Sequence, residues 1–169
     1  MSKKTAYLGM LCGAAIILGY VEMLFPVFGP VAGIKVGLPN LAIVAVLFLY
    51  GWKEALALSI VRILVIGFLF GNAFSIAFSL AGGLFSLLCM QIAGKYLKLS
   101  CAGVSMIGGV THNAGQILVA MVLVENVRVG YYFSILAVTG LVTGILIGIG
   151  SSEIIKRIRK AVPELGQNF

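Results

Sequence analysis

Gly108-Gly-Val-Thr-His-Asn-Ala-Gly-Gln116 puts the chain's only histidine, His112, beside Thr111, Asn113 and Gln116 in the middle of a long apolar run. That run is about as long as a bilayer core of ~30 Å requires of a helix. Polar groups at such a depth are costly and usually functional. The stretch therefore reads as one wall of a pocket inside a helical membrane protein, and the remaining sequence can be taken outward from it.

The 169 residues are 61% hydrophobic and 10% charged, with a mean hydropathy of +1.14. These values lie outside the range of a soluble globular domain and indicate an integral membrane protein. All five acidic residues are glutamate, and the twelve Lys and Arg residues fall almost entirely between or outside the apolar segments. The positive excess is thus a topology signal and not a nucleic-acid footprint. Cys12, Cys89 and Cys101 show neither CxxC nor Cys/His spacing, so no zinc site or disulfide framework is expected and they read as small packing residues. The first apolar stretch follows Lys3 and Lys4 but is too long for a signal peptide core and is read as a retained span.

Six apolar segments are predicted to span the membrane as one all-α domain over 1–169, at about 6–24, 37–50, 53–70, 73–93, 102–124 and 129–149. The second is short. A loop rich in proline and glycine, Phe25 to Val36, precedes it, and a tight Gly71-Asn72 turn joins the third and fourth. With the N-terminus inside, Lys3, Lys4, Lys53, Lys95, Lys98, Lys156, Arg157, Arg159 and Lys160 fall on the cytoplasmic side, against Lys35 and Arg128 outside. This asymmetry predicts both termini in the cytoplasm. The basic tail, 151–169, is expected to continue the last helix along the membrane surface as far as Pro163. Gly140, Gly144 and Gly148 recur at helical spacing, as packing within the bundle would require, while Ala6, Gly9 and Gly13 on the first helix could let a partner subunit dock closely.

Arg62 in the third span and His112 in the fifth both lie ~13–15 Å from the cytoplasmic side by helical rise, at one level near the midplane. An arginine at that depth needs a partner or a wet cavity. Glu22 could pair with it structurally. Alternatively Arg62 binds an anionic ligand, with His112, Asn113 and Gln116 setting orientation. Lys35, Asn40 and Asn72 would lie above, with Tyr20, Phe25, Phe28 and Phe74 as apolar walls. His112 as a packing residue, and Asn113 and Gln116 as cross-helix bonds, are the plainer readings. There is no GxxxxGK[ST] loop, no HExxH and no GxSxG, and without aspartate the Asp-rich magnesium sites of prenyl synthases cannot be built. The expectation is a protein that is not an enzyme and holds no cofactor or metal.

Tyr20-Val-Glu22, Gly33-Ile-Lys-Val-Gly-Leu-Pro-Asn40, Arg62 and Ser105-Met-Ile-Gly-Gly-Val-Thr-His-Asn-Ala-Gly-Gln116 together resemble a bacterial membrane family. That family is described both as heptaprenyl diphosphate synthase component I and as Gx transporter. Gly109 stands where the family pattern has alanine. The family in turn looks like the substrate-binding S component of energy-coupling-factor transporters, which have six helices, an outer pocket and a small-residue motif that docks a coupling subunit. The resemblance implies a subunit of the bacterial cytoplasmic membrane that captures a small anionic, vitamin-like or isoprenoid-related molecule. Its partners would be a transmembrane coupling subunit, ATPases and membrane lipid. The rival expectations are a noncatalytic accessory subunit of a heptaprenyl diphosphate synthase and a solitary transporter.

Overall fold

The computed structural model describes residues 3–24 and 36–162. The described residues form helices α1 (Lys3–Leu24), α2 (Asn40–Leu49), α3 (Trp52–Phe70), α4 (Ala73–Lys95), α5 (Cys101–Leu123) and α6 (Phe133–Ala161), with a 3-10 turn, Val127–Tyr132, before the last. There is no strand among them. α1, α4, α5 and the run from Val127 through α6 are each long and apolar enough to cross a membrane. α3 matches them in length, but Lys53, Glu54 and Arg62 break its apolar character.

α2 departs from the expected span at 37–50. Its 10 residues rise only ~15 Å, half of a ~30 Å bilayer core. It is instead the centre of the bundle, with Ala42 through Leu47 and Leu49 buried and α1, α3, α5 and α6 around it. A helix apolar on every side is stable only when enclosed in this way. Its C-terminal end reaches Tyr50, whose ring lies 5.9 Å from the Lys4 ammonium. Its N-terminal end starts inside the bundle, where the buried hydroxyl of Ser151 donates to the Leu41 carbonyl at 3.1 Å.

Lys4 pairs with Glu54 at 2.6 Å, while Tyr20 meets Phe70 with ring centroids 4.7 Å apart. Both pairs link α1 to α3 at the same sequence offset, so the two helices run parallel. The α4, α5 and α6 contacts run the other way, as helices joined by short turns must. The α6 helix is continuous through Ser151 to Ala161, so the basic tail begins as its last turns, and Glu153 and Arg157 pair across one of them at 2.9 Å.

Glycine sets the spacing of the last three helices. A Cβ on Gly144 would stand 2.7 Å from the Ser105 carbonyl oxygen, and one on Gly148 would stand 2.5 Å from Cα of Ala102. On the other side of α5, a Cβ on Gly115 would stand 2.8 Å from the Ala81 carbonyl oxygen. Gly109 faces Gly140 backbone to backbone, and the absence of side chains at both lets α5 pack closely against α6. Gly9 and Gly13 differ, since nothing lies within 4 Å of a Cβ at either. Gly144→Ala should therefore cost about 1–3 kcal/mol through overpacking, whereas Gly9→Ala should be neutral or stabilising by about 0.5–1 kcal/mol. Thermal denaturation of the two variants in detergent checks the contrast.

Candidate functional site

A cavity of about 330 Å³ opens where the C-terminal end of α1, the start of α2, the second half of α3, the start of α4 and the middle of α5 converge. Arg62, Asn40, Glu22, Asn72, His112, Asn113 and Gln116, seven of the residues singled out in the sequence, all line it. Lys35, Phe25 and Phe28 lie outside the described residues.

The local chain around α2 explains how Asn40 reaches Arg62. Gly37 has φ +81°, a left-handed conformation that favours glycine, and its carbonyl accepts the Asn40 N–H at 2.8 Å. This turn is tied to α1, because the Gly37 N–H donates to Oε1 of Glu22. Asn40 then stands at the first position of α2 with its side chain toward α3, and its Oδ1 accepts from Nη2 of Arg62 at 3.2 Å. Nε of Arg62 is shielded from solvent and has no hydrogen-bond partner among the described residues. The ion pairs among those residues are Lys4–Glu54 and Arg157–Glu153. Arg62 and Glu22 thus share a cavity without forming the structural pair that sequence left open.

α5 contributes the second wall. The imidazole of His112 packs where α4 has no side chain, since a Cβ on Gly82 would stand 3.0 Å from its Cε1 and 3.0 Å from Cγ of Gln116. Asn113 donates from Nδ2 to the Leu136 carbonyl on α6 at 2.6 Å, so the cross-helix bond is formed at this residue while its side chain still borders the cavity. Thr111 is turned to its own helix and donates to the Ile107 carbonyl at 2.7 Å. Asn72 has a structural task as well. It caps α4, accepting from the Ser75 N–H at 2.9 Å, and Ser75 Oγ closes the reciprocal bond.

The apolar wall differs from the expected one. Met23, Ile63, Ile66 and Phe70 line the cavity, while Phe74 is 63% exposed on the outer face of α4 and Tyr20 packs on Phe70 from outside. Sequence reading also passed over Ser75, Ser79 and Thr143, which line the cavity too. Ser75 and Ser79 are four apart on one face of an apolar helix, a spacing that could have flagged them. Thr143 carried no such signal, because its neighbours Gly140 and Gly144 marked that face only as packing.

No group of His, Cys, Asp or Glu among the described residues could hold a metal ion. Among the described residues the arrangement offers one guanidinium, one carboxylate, an imidazole and several amides bordering one open-sided cavity, which suits recognition of a small polar molecule. Asn40→Ala should destabilise the protein by about 1–3 kcal/mol by removing Arg62's hydrogen-bond acceptor. In an Arg62→Met background the same change should cost less, with a coupling of about 0.5–3 kcal/mol. A double-mutant cycle on thermal unfolding in detergent measures it.

A family model described as heptaprenyl diphosphate synthase component I matches residues 11–154. No curated protein and no solved structure matches the chain.

Proposed function

We propose that this chain, which belongs to the heptaprenyl diphosphate synthase component I family, is a noncatalytic membrane subunit that binds a small molecule bearing an anionic group. The observation that carries this reading is Arg62, whose guanidinium borders the cavity with one hydrogen bond to a neutral amide and with Nε left without a described partner. A guanidinium kept within a bundle and short of acceptors favours a ligand that supplies them. The start of α2 at the same cavity adds the positive end of a helix dipole. The family's description supports a synthase assembly as the setting, with a prenyl synthase subunit as partner. The lack of aspartate supports leaving the chemistry to that partner.

A second reading, capture for transport, is favoured by where the cavity opens. Its rim, with Glu22, Gly71 and Asn72, is at the opposite end of α1 and α3 from the Lys4–Glu54 pair. With the basic end in the cytoplasm, the cavity faces outward from the bacterial membrane. Both termini are then cytoplasmic, as in the six-helix bundle of an S component, and one domain holds the whole chain. The open face of α1 at Ala6, Gly9 and Gly13 would meet the coupling subunit, which ATPases would drive.

Native mass spectrometry of the detergent-purified protein should reveal a co-purified small molecule bearing an anionic group that is absent from Arg62→Ala and His112→Ala. A clean wild-type spectrum would count against the ligand. Pull-down then separates the two settings. A retained prenyl synthase subunit that survives Gly13→Leu supports the synthase assembly, while a coupling subunit lost in Gly13→Leu supports transport.

A further inference from the structure

We propose that the ligand is a small zwitterion, with its carboxylate on Arg62 and its amino group on Glu22. This rests on the reading of the cavity as a ligand site and narrows the class of molecule it takes. The charges that line the cavity among the described residues are one guanidinium and one carboxylate. They form no ion pair. Each is instead held to the wall by a neutral group, Arg62 by the side chain of Asn40 and Glu22 by the N–H of Gly37.

Unlike charges that share a cavity yet are fastened apart leave each other only partly compensated. A ligand with both signs completes both at once. A simple anion at Arg62 satisfies one charge and is repelled by the other. A diphosphate fares worse, because several negative charges would meet one cation and one carboxylate, whereas diphosphate sites gather cations and magnesium. A lone amine reverses the mismatch. One carboxylate and one ammonium match, in sign and in number, the charges that the described residues bring to the cavity.

Size and lining point the same way. At about 330 Å³ the cavity is at the lower end of the ~300–1,000 Å³ range of ligand pockets, which suits a compact metabolite more than a long prenyl chain. Ile63 and Ile66 offer an apolar surface for a short hydrocarbon spacer.

The probes are ω-amino acids from glycine to 6-aminohexanoate, alkyl carboxylates and alkylamines of equal length, and inorganic pyrophosphate. Each is titrated calorimetrically into the full-length protein in detergent. One ω-amino acid should bind at least ~10-fold more tightly than the carboxylate and the amine of its length, as expected for an added charge-assisted hydrogen bond. Glu22→Gln, which keeps an acceptor for the Gly37 N–H, should erase that advantage and leave carboxylate binding equal or stronger. Arg62→Gln should remove binding of both. Tighter binding of a carboxylate or of pyrophosphate than of any amino acid would overturn the zwitterion and leave the anion-binding reading standing. No heat from any probe, together with a ligand-free native mass spectrum, would overturn both. The ranking of probes on the wild-type protein decides the matter even if a variant fails to fold.

Discussion

Backbone contact between α5 and its two neighbours is the constraint on which the rest of this structure depends. Gly115 of α5 meets the backbone of α4 at Ala81 and Gly82, and Gly144 and Gly148 of α6 meet α5 at Ser105 and Ala102. At these points the helices leave no room for a Cβ on the glycines. In lipid, where burial of apolar surface does not drive helices together, such packing is a main source of association. Its geometric effect is to turn the polar face of α5 to one side, so that His112, Asn113 and Gln116 border a single space.

That space exists because α2 does not cross the bundle. A full-length helix would fill the centre, but α2 occupies only the half that ends near Lys4 and Tyr50. Among the described residues, the other half is left to Arg62, Glu22 and the amides. Irregular backbone within a membrane protein is tolerated where it is enclosed by protein or borders a cavity, and the Gly37–Asn40 turn does the latter. The turn also distributes the charges. It takes Glu22 through its own N–H and Arg62 through Asn40, and so keeps two opposite charges in one cavity without letting them pair.

The outline of the fold was legible because apolar length is a strong local signal. The first, third, fourth and fifth expected segments match helices to within three residues, the sixth begins four residues later than expected and runs on into the tail as read, and the turn at Gly71-Asn72 lies between α3 and α4. The second segment misled, because an apolar run of that length looks the same whether it crosses a bilayer or is enclosed by protein. The pocket was legible for a related reason. Arg62, His112, Asn113, Gln116, Glu22, Asn40 and Asn72 are conspicuous where polar groups are expensive, and all of them line the cavity. Thr143, small and flanked by glycines, was not conspicuous. Phe74 was misread because an aromatic ring near a helix end serves a pocket or faces lipid equally well, and here it is exposed.

Sequence by itself determined that the chain is a helical membrane protein, where most of its helices begin and end, and which polar residues lie deep within it. Those features depend on transfer of single segments and side chains out of water, and each segment carries its own balance. Only the tertiary structure decided that Arg62 leans on Asn40 and not on Glu22, that Asn113 bonds to α6, and that Asn72 caps α4. It also decided that α2 stops halfway. These outcomes depend on which backbones meet and at what distance, and a distance between helices belongs to no single stretch of the chain.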